Sequence, residues 1–591
     1  MDRARATLRD YRTTLVTGPP GSGRSATAKQ LLYEQRGTGG RFVRLSDRPE
    51  EGGSRVLHPD DVQNADLMLL DLTAADQGVV NQVQREMPEF RAAVQKHNAY
   101  LTVALPPDTA LQAEMNDLHT SIERPPAFRV LRKHLRAGGI IVETAELATP
   151  DLAEFLAQAH MREVAQFADL IHQYRDRGPG HFHEWLRRAL SVTTERRDEV
   201  RKAVARLPAA KRALLFACAL LHGSRGHVVH RAAAELLRVA AETHAVQAPL
   251  SRAALSVRLK EVGAEMTTDG RVTFRALRYD EAVGDSLWDD FPDLLPALSP
   301  WVDGLVRAPD LEDRERADLV HRYARQCLRT DRPGELSDAA VAWMAQDTPN
   351  WLNRAAYTAL SDGLSHEQHG GHFRARVYEW STNRQLSPGL VRVLVGVCAD
   401  VMAVQHPDSA LVRLLHLARR EPRTTECAAR DALFRLAFSE RRLTRRLLDR
   451  VHRAWASPLS RWQRIRVSEL FLHLADPGHF CDASGRARPL IAETAVQAQL
   501  TAGWRATFAL RPFAECGSRV ADWLRTAREE ASPRDALLDV LVASCVADGD
   551  LLGHLYTTDW HLARSGEDGE SAAQVSELLW NKINAAQGLG A

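Results

Sequence analysis

The sequence predicts an α/β domain built on a parallel sheet, followed by a long all-helical region. Three observations support this prediction. Short apolar runs alternate with helical stretches in the first part of the chain, as is typical of a parallel sheet covered on both faces. A glycine-rich turn separates the first run from a helix. Beyond about residue 310, apolar residues recur at helical spacing between short breaks that carry Pro, Gly or Asp.

Five apolar runs are predicted to form the strands of the sheet. They cover residues 14–17, 41–45, 67–72, 100–105 and 139–143. Parallel sheets bind their ligands at the carboxyl ends of the strands. The residues that directly follow these runs are therefore the first place to look for a site.

The turn after the first run resembles a phosphate-binding loop. It reads Gly18-Pro19-Pro20-Gly21-Ser22-Gly23-Arg24-Ser25 and fits the pattern G-x-x-x-x-G-K-S, with Arg24 in place of the lysine. Glycines let backbone amides close around a phosphate, and the positive end of the following helix faces it. The candidate nucleotide-binding residues are Gly18, Gly21, Ser22, Gly23, Arg24, Ser25 and Ala26. The alternative is a Gly/Pro turn without a ligand.

The third run ends in an acid, Asp71. A carboxylate at this position emerges beside the phosphates and holds magnesium, while the Ser25 hydroxyl offers a second ligand. Asp71 is therefore the candidate catalytic residue, and Ser25 and Asp71 are the candidate magnesium ligands. The alternative is an acid that only terminates a strand.

Three departures from the hydrolytic pattern predict slow turnover. Arg24 is planar and bulkier than lysine and binds phosphate in a different geometry. Asp71 is followed by Leu72-Thr73, where hydrolytic proteins usually carry a second acid. Near the fourth run only Thr102 and Asp108 could sense a terminal phosphate, and neither fits well. We expect nucleotide binding with at most slow ATP hydrolysis, and whether the protein is an enzyme stays open.

The predicted helices and hairpin between residues 161 and 274 follow one another in an order that is typical of a known class of proteins. Predicted helices 161–175 and 181–192 flank Arg177-Gly178-Pro179-Gly180, and helices 208–222, 228–242 and 252–262 precede a hairpin over 267–274. In this order the chain resembles the STAND class of AAA+-related switch ATPases, the group with NACHT and NB-ARC domains. The resemblance implies a helical lid in which Pro179 contacts the adenine, and then a winged helix. A helix–helix loop without a ligand is the alternative for Pro179.

The predicted architecture is an α/β P-loop NTPase domain (1–158), a helical lid (159–207), a winged-helix domain (208–305) and an all-α irregular solenoid (306–591). The resemblance implies ATP or ADP with Mg²⁺ as cofactors, and a nucleotide-controlled switch. Many STAND proteins carry a histidine after the wing that reaches the diphosphate. No histidine occurs from 275 to 283, so Arg278 or Tyr279 would have to replace it.

The charge and composition of the chain indicate which classes of binding partner to expect. The 77 basic and 76 acidic side chains nearly cancel, which argues against a polyanion or membrane-surface binder. The predicted wing is similarly balanced, which argues against DNA reading. We expect the helical region to bind a protein partner or sense a signal, with a homo-oligomer as an open alternative.

Three features predict a cytoplasmic protein. The seven cysteines form no C-x-x-C pair and read as reduced core residues. The first residues lack an apolar run, so we expect no signal peptide. The run 390–404 carries Arg392 and Asp400 and is predicted to be a buried helix rather than a membrane span.

The segment 366–372 contains three histidines and a glutamate. It misses the zinc motif H-E-x-x-H by one residue, and its glycines predict an exposed polar loop. The leading hypothesis is therefore a nucleotide-binding switch or scaffold in signalling. The alternatives are a degenerate pseudo-NTPase scaffold without nucleotide and a winged-helix transcription regulator.

Overall fold

A computed structural model describes residues 1–19, 21–35, 41–45, 55–73, 75, 77–107, 109–143, 145–159, 161–178, 180–194, 196–240, 253–276, 278–345, 349–383, 386–421, 427–481, 489–565 and 569–588. The chain divides into two compact units. Unit 1 comprises Met1–Arg376 and Leu386–Val393, and unit 2 comprises Val377–Gln385 and Leu394–Ala591.

Unit 1 begins with a five-stranded parallel sheet of order β2-β3-β4-β1-β5. Its strands are β1 Thr13–Thr17, β2 Phe42–Arg44, β3 Leu67–Asp71, β4 Tyr100–Ala104 and β5 His119–Ser121. Strand β1 lies between β4 and β5, with Val16 opposite both Ala104 and Thr120. The first four predicted strands are confirmed.

The predicted fifth strand, 139–143, is wrong. Gly139 has a φ of 85° and the Ile140 N–H donates to Leu135 O at 2.9 Å, so this segment closes the preceding helix. Ile141 is 86% exposed, whereas a parallel strand would be covered on both faces. The fifth strand is His119–Ser121 instead, a short polar edge strand beside β1 that leaves no apolar run in the sequence.

Helices cover both faces of the sheet. They are α1 Asp2–Tyr11, α2 Arg24–Glu34 and α3 Gln77–Lys96. Alternate residues of β3 point to opposite faces: Met68 joins the core that includes Phe90 of α3, and Leu69 joins the core that includes Leu32 of α2. All four side chains are buried, and each such burial contributes about 1.5–3 kcal/mol.

A second core of unit 1 is built mainly from helices. Its helices are α4 Ala127–Ala137, α5 Pro150–Gln158, α6 Met161–Arg177 and α7 Phe182–Thr194, followed by α8 Arg196–Arg206. Each of the helices α4 to α7 contributes buried side chains to this core, for example Leu131, Leu152, Phe167 and Leu186 in that order. The two helices predicted around the Gly/Pro turn are therefore confirmed as α6 and α7.

Three helices and a hairpin follow in the predicted order. They are α9 Ala209–Leu220, α10 Gly226–Val239, α11 Leu255–Glu261, β6 Ala264–Met266 and β7 Val272–Phe274. The two strands are antiparallel, with Ala264 opposite Phe274. Gly270, at φ 79°, closes the turn by donating its N–H to Thr267 O at 3.0 Å.

The rest of the described chain is helical. Unit 1 continues with α12 Tyr279–Asp290, α13 Leu295–Arg307, α14 Asp313–Arg329, α15 Pro333–Trp343 and α16 Asn350–Ser365, and α17 Gly370–Thr382 and α18 Pro388–Gly396 are shared between the units. Unit 2 contains α19 Ala403–Gln405, α20 Pro407–Ala418, α21 Ala428–Ala437, α22 Arg441–Ala456, α23 Arg461–Leu474, α24 Pro477–Cys481, α25 Thr494–Phe508, α26 Phe513–Glu529, α27 Arg534–Cys545, α28 Gly549–Ser565 and α29 Gly569–Ala586. The twelve tryptophans differ in burial. Trp301, Trp343, Trp504 and Trp523 are fully buried, whereas Trp462, Trp560 and Trp580 are about half exposed.

Within the described residues, one helical stretch is long and apolar enough to cross a membrane. It is Pro388–Gln405, with a mean hydropathy of 1.5 over 18 residues and 39% of the stretch buried. A core helix of a soluble protein meets the same criterion. Val397, Cys398 and Met402 of a π-helical turn in this stretch are buried.

Candidate functional site

The turn between β1 and α2 is shaped by its glycines. Gly21 and Gly23 have φ values of 77° and 82°, which side-chain-bearing residues rarely adopt. At Gly18 a Cβ would lie 2.5 Å from Ile122 O, so only glycine fits there. Ser22 is 2% exposed, and its hydroxyl has no hydrogen-bond partner among the described residues. The turn is therefore tight, and it contains a buried polar group that is not satisfied.

Helix α2 opens directly from this turn. Gly23 is its N-cap, and no side chain caps the helix. The first N–H groups of a helix lack intrahelical partners and carry a partial positive charge. Ser25 is half-buried and Ala26 is exposed in this first turn. The arrangement supplies the donors that an anion would need.

Arg24 is engaged with a neighbouring strand end. Its Nη1 donates to Leu105 O at 2.7 Å, just after β4. Burial lowers the pKa of the Arg24 guanidinium, while the charges of Asp71 and Glu367 act in the opposite direction. Arg24 therefore lies at the carboxyl edge of the sheet, within electrostatic range of Asp71.

Asp71 ends β3 with its side chain 11% exposed. Its Oδ1 accepts hydrogen bonds from Thr73 Oγ1 at 2.7 Å and from the Thr73 N–H at 3.2 Å. Its Oδ2 lies 3.8 Å from Arg44 Nη2. The carboxylate thus stands at the edge of the sheet with local partners of its own.

Other predicted site residues have different outcomes. Thr102 is fully buried in β4 and donates to Ala28 O at 3.3 Å, so it supports the core and does not reach the strand end. Pro179 and Asp108, like Pro20 of the turn, lie outside the described residues. Arg44, Leu105 and Glu367 were missed by the sequence reasoning because nothing in their local sequence connects them to the turn.

The segment after the hairpin is organised by packing. Arg278, at φ 55°, precedes α12 and lies 3.4 Å from Glu281, and Tyr279 packs on Phe274 with ring centroids 5.1 Å apart. His222 also stacks on Phe274, with ring centroids 5.9 Å apart. Burial lowers the pKa of His222; Asp280 opposes this shift, and Arg322 and Arg177 add to it. A histidine therefore does lie against the hairpin, but it comes from the turn that follows α9, far in sequence from the segment 275–283.

The basic residues of the hairpin are paired with acids. Arg271 lies 3.0 Å from Glu312 and 3.1 Å from Glu315, both on the N-terminal end of α14. Arg275 lies 2.6 Å from Glu265. A DNA reader needs such side chains free for phosphates. The pairing favours a structural role for the hairpin.

The predicted exposed polar loop covers only the first part of the histidine-rich segment. Residues 366–369 form a turn in which Glu367 and Gln368 are exposed, whereas Gly370 begins α17. His369 Nε2 lies 3.1 Å from Leu328 O, and the His366 and His369 rings stack at 4.9 Å. In the described part of the chain, no group of three metal-ligating side chains occurs. The segment acts as a helix junction.

Comparisons with known proteins add no family assignment. No protein-family model matches this chain, and no curated protein matches it.

Proposed function

We propose that the turn of residues 18–25 binds the phosphates of ATP or ADP and that the protein is a STAND-like nucleotide-binding switch or scaffold. One observation carries the proposal. A turn with two left-handed glycines and a buried, unsatisfied serine hydroxyl opens an uncapped helix at the carboxyl end of β1. Such a turn offers several N–H donors to one anion.

The strand order supports this location. The chain leaves β1 for β2 at one edge of the sheet and returns from β4 to β5 on the other side of β1. In open parallel sheets, ligands bind where the strand order reverses in this way. The turn lies at that point.

Ser25 and Asp71 suit Mg²⁺ by donor type, because this ion prefers hydroxyl and carboxylate oxygens. Bound there, magnesium would neutralise phosphate charge. Arg44, 3.8 Å from Asp71, competes for one carboxylate oxygen. Ser25 and Asp71 are the residues that would hold the ion.

Slow hydrolysis follows from what surrounds Asp71. The next residue, Leu72, is a buried aliphatic side chain without a titratable group, so it supplies no base to position water. Thr102 on β4 is committed to the core. A general base must lie within hydrogen-bonding reach of its proton, and the described residues after β3 and β4 offer no clear candidate. We therefore expect the protein to bind nucleotide and to hydrolyse it only slowly.

The test is a matched pair of glycine substitutions. Gly23→Asp places a carboxylate at φ 82° in the turn, whereas Gly263→Asp places one at φ 76° beside β6, and neither Cβ meets an atom within 4 Å. By isothermal titration calorimetry with Mg²⁺, we expect ATP and ADP to bind the wild type and Gly263→Asp, but not Gly23→Asp. Equal binding by Gly23→Asp and wild type would exclude this site.

A pseudo-NTPase scaffold is the second candidate. It is favoured by the internal partners of the charged groups, namely Leu105 O for Arg24, and Thr73 with Arg44 for Asp71. Heat-released nucleotide from freshly purified protein separates the two proposals. Absence of bound nucleotide, with a flat response to ATP, ADP and GTP, would favour the scaffold. In either case we propose a cytoplasmic protein that binds a partner protein through its helical region.

A further inference from the structure

Unit 2 concentrates arginines around one buried acid. Asp408, at the start of α20, accepts two hydrogen bonds of 2.7 Å from Arg442 and lies 3.0 Å from Arg446. Arg450 also faces this carboxylate. This one carboxylate therefore compensates three cations on one face of α22. Other arginines of unit 2 need different partners.

Arg419, the residue that caps the C-terminal end of α20, has no acidic partner among the described residues. Its Nε is buried without a hydrogen-bond partner, and no acid pairs with it within the residues that the structure describes. Burial and the like charges of Arg450 and Arg420 lower the pKa of the Arg419 guanidinium to about 10. Arg419 as a whole is half-buried, and a cation that is partly removed from water without a counter-charge is unfavourable. The arrangement therefore calls for an anion from outside the described chain.

A cavity of about 150 Å³ lies at this guanidinium. Its polar and aromatic lining consists of His416, Arg419, Arg420, Trp462, Gln463 and Arg466. A cavity of this size holds several water molecules and accommodates a phosphate group. We call it the Arg419 pocket.

The other two arginines of the pocket are held in fixed positions. Arg420 donates to the carbonyl oxygens of Ser381, Thr382 and Asn383 at 2.5–2.7 Å. Arg466 is held by Glu469 at 2.8 Å, and its guanidinium lies over the Trp462 ring at 5.2 Å. These positions are set before a ligand arrives, which lowers the entropy cost of binding.

The acids near the pocket have partners of their own. Glu421 accepts hydrogen bonds from the N–H groups of Ala429 and Arg430 at the start of α21. Glu469 accepts from Arg466 and also from Arg511 at 2.9 Å. The pocket therefore keeps an excess of positive charge.

Trp462 also lines a second, more open cavity of about 540 Å³. Trp462 is 55% exposed, and it shares this lining with the apolar side chains of Ile465, Leu510 and Pro512 and with the charged side chains of Arg466, Arg511 and Glu515. An exposed indole face next to cations is a platform on which a planar ring stacks. The neighbouring lining indicates a ligand with an anionic end and a flat apolar end.

We propose that the Arg419 pocket binds a small phosphomonoester that carries a planar ring, with the phosphate on Arg419 and the ring on Trp462. This is the chemistry of a nucleoside monophosphate. The site lies within unit 2 and does not depend on the turn of residues 18–25. The helical region would thereby read a small phosphorylated signal directly.

Calorimetry with AMP, inorganic phosphate and adenosine tests this proposal on the full chain. The Gly23→Asp variant is used so that binding at the turn does not contribute. We expect AMP to bind more tightly than phosphate and adenosine to bind only weakly. Arg419→Gln should weaken AMP and phosphate by about tenfold or more, because a charge-assisted hydrogen bond is lost. Trp462→Ala should weaken AMP alone.

Arg464→Gln is the matched control, because Arg464 is an exposed arginine on α23 that does not line the pocket. It should bind AMP as the parent does. Absence of heat with both AMP and phosphate, or equal binding by Arg419→Gln and its parent, would overturn the proposal. Equal affinities for AMP and phosphate would overturn the role of Trp462.

Thermal unfolding gives a readout that does not depend on heat of binding. Phosphate should raise the Tm of the parent above its value in equal ionic strength of chloride. Arg419→Gln should raise the Tm without phosphate, because it removes the uncompensated charge. It should also make the Tm insensitive to phosphate. A lower Tm without phosphate would show that Arg419 has a purely structural partner and would contradict the proposal.

Discussion

Arg24 occupies the position at which phosphate-binding loops carry lysine, and it already donates to Leu105 O. If Arg24 also contacts phosphate, Arg24→Ala should lower ATP affinity about tenfold or more, since hydrogen bonds to charged groups contribute about 1.5–3 kcal/mol. Arg24→Lys should keep most of the affinity, because the charge remains. Calorimetry checks both variants, with Lys29→Ala on the exposed face of α2 as control. Unchanged affinity in Arg24→Ala would assign Arg24 to the strand end alone.

Asp408 lies within 3.0 Å of two arginines of α22, Arg442 and Arg446, and is also stabilised by the charge of Arg450. The Asp408 and Arg442 side chains are 9% and 1% exposed, and Asp408→Asn removes the carboxylate that accepts two hydrogen bonds from Arg442, which leaves Arg442 with Glu440 at 3.8 Å. We expect a loss of about 3–5 kcal/mol in the free energy of unfolding. Chemical denaturation measures it, with Asp431→Asn as control, because Asp431 is largely exposed and should change stability by less than about 0.5 kcal/mol.

The same carboxylate predicts a pH dependence. Burial alone would raise the pKa of Asp408, but Arg446 and Arg442 outweigh it and hold the pKa below its ordinary value. A carboxylate with a depressed folded pKa stabilises the protein above its unfolded pKa of about 3.9, and this stability is lost as the pH falls through the folded value. Wild type should therefore lose more stability than Asp408→Asn when the pH is lowered from 5 to below 4. Parallel curves for the two proteins would contradict this assignment.

The segment after α4 distinguishes a strand from a helix-closing turn. Ile141 is 86% exposed, whereas Val142 is 7% exposed and belongs to the core of α4 to α7. We expect Ile141→Lys to change the free energy of unfolding by less than about 0.5 kcal/mol. Val142→Lys should cost about 2 kcal/mol or more, because it buries an ammonium among apolar side chains. Equal destabilisation by both substitutions would restore the strand that the apolar run predicted.

The elements that could be predicted from sequence are those whose signal is local. The runs that became β1, β3 and β4 are almost entirely buried, whereas the shorter β2 has only Val43 buried. Asp269-Gly270 marks the hairpin turn by composition. Strand β5 could not be found in this way. His119 and Ser121 are polar, and the strand exists because it pairs with β1, about a hundred residues earlier in the chain. The run at 139–143 is apolar for a different reason, because Ile140 and Val142 pack into a helical core.

At the candidate site, too, the local features could be predicted from sequence and the long-range contacts could not. The turn and Asp71 can be read from sequence, because each depends on residues within a few positions. The partners that decide their chemistry come from elsewhere: Leu105 receives Arg24, and Arg44 faces Asp71. These contacts depend on the strand order, which the sequence alone did not fix. Sequence reasoning therefore identified the turn and Asp71 as candidates but could not show that Arg24 and Asp71 have partners within the protein.

The cysteines allow the two units to be followed separately in the intact protein. All seven are free and buried, as the absence of a C-x-x-C pair predicted. Burial raises the pKa of the Cys218, Cys327 and Cys398 thiols to about 12 and that of Cys545 to about 11, so little reactive thiolate forms near neutral pH. We expect no rapid labelling by a thiol reagent at pH 8, and labelling of all seven in denaturant.

The rate of labelling in mild denaturant then reports on unfolding. Cys218 and Cys327 belong to unit 1, and the remaining five belong to unit 2. Because thiols within one cooperative unit become exposed together, mass spectrometry of labelled peptides should resolve two groups with common rates. If the turn of residues 18–25 binds nucleotide, saturating ATP with Mg²⁺ should slow the labelling of Cys218 and Cys327 first, because a ligand stabilises the folded state of the unit that binds it. Seven independent rates would show that the units do not unfold cooperatively. Slowing confined to the five thiols of unit 2 would move the nucleotide site away from β1.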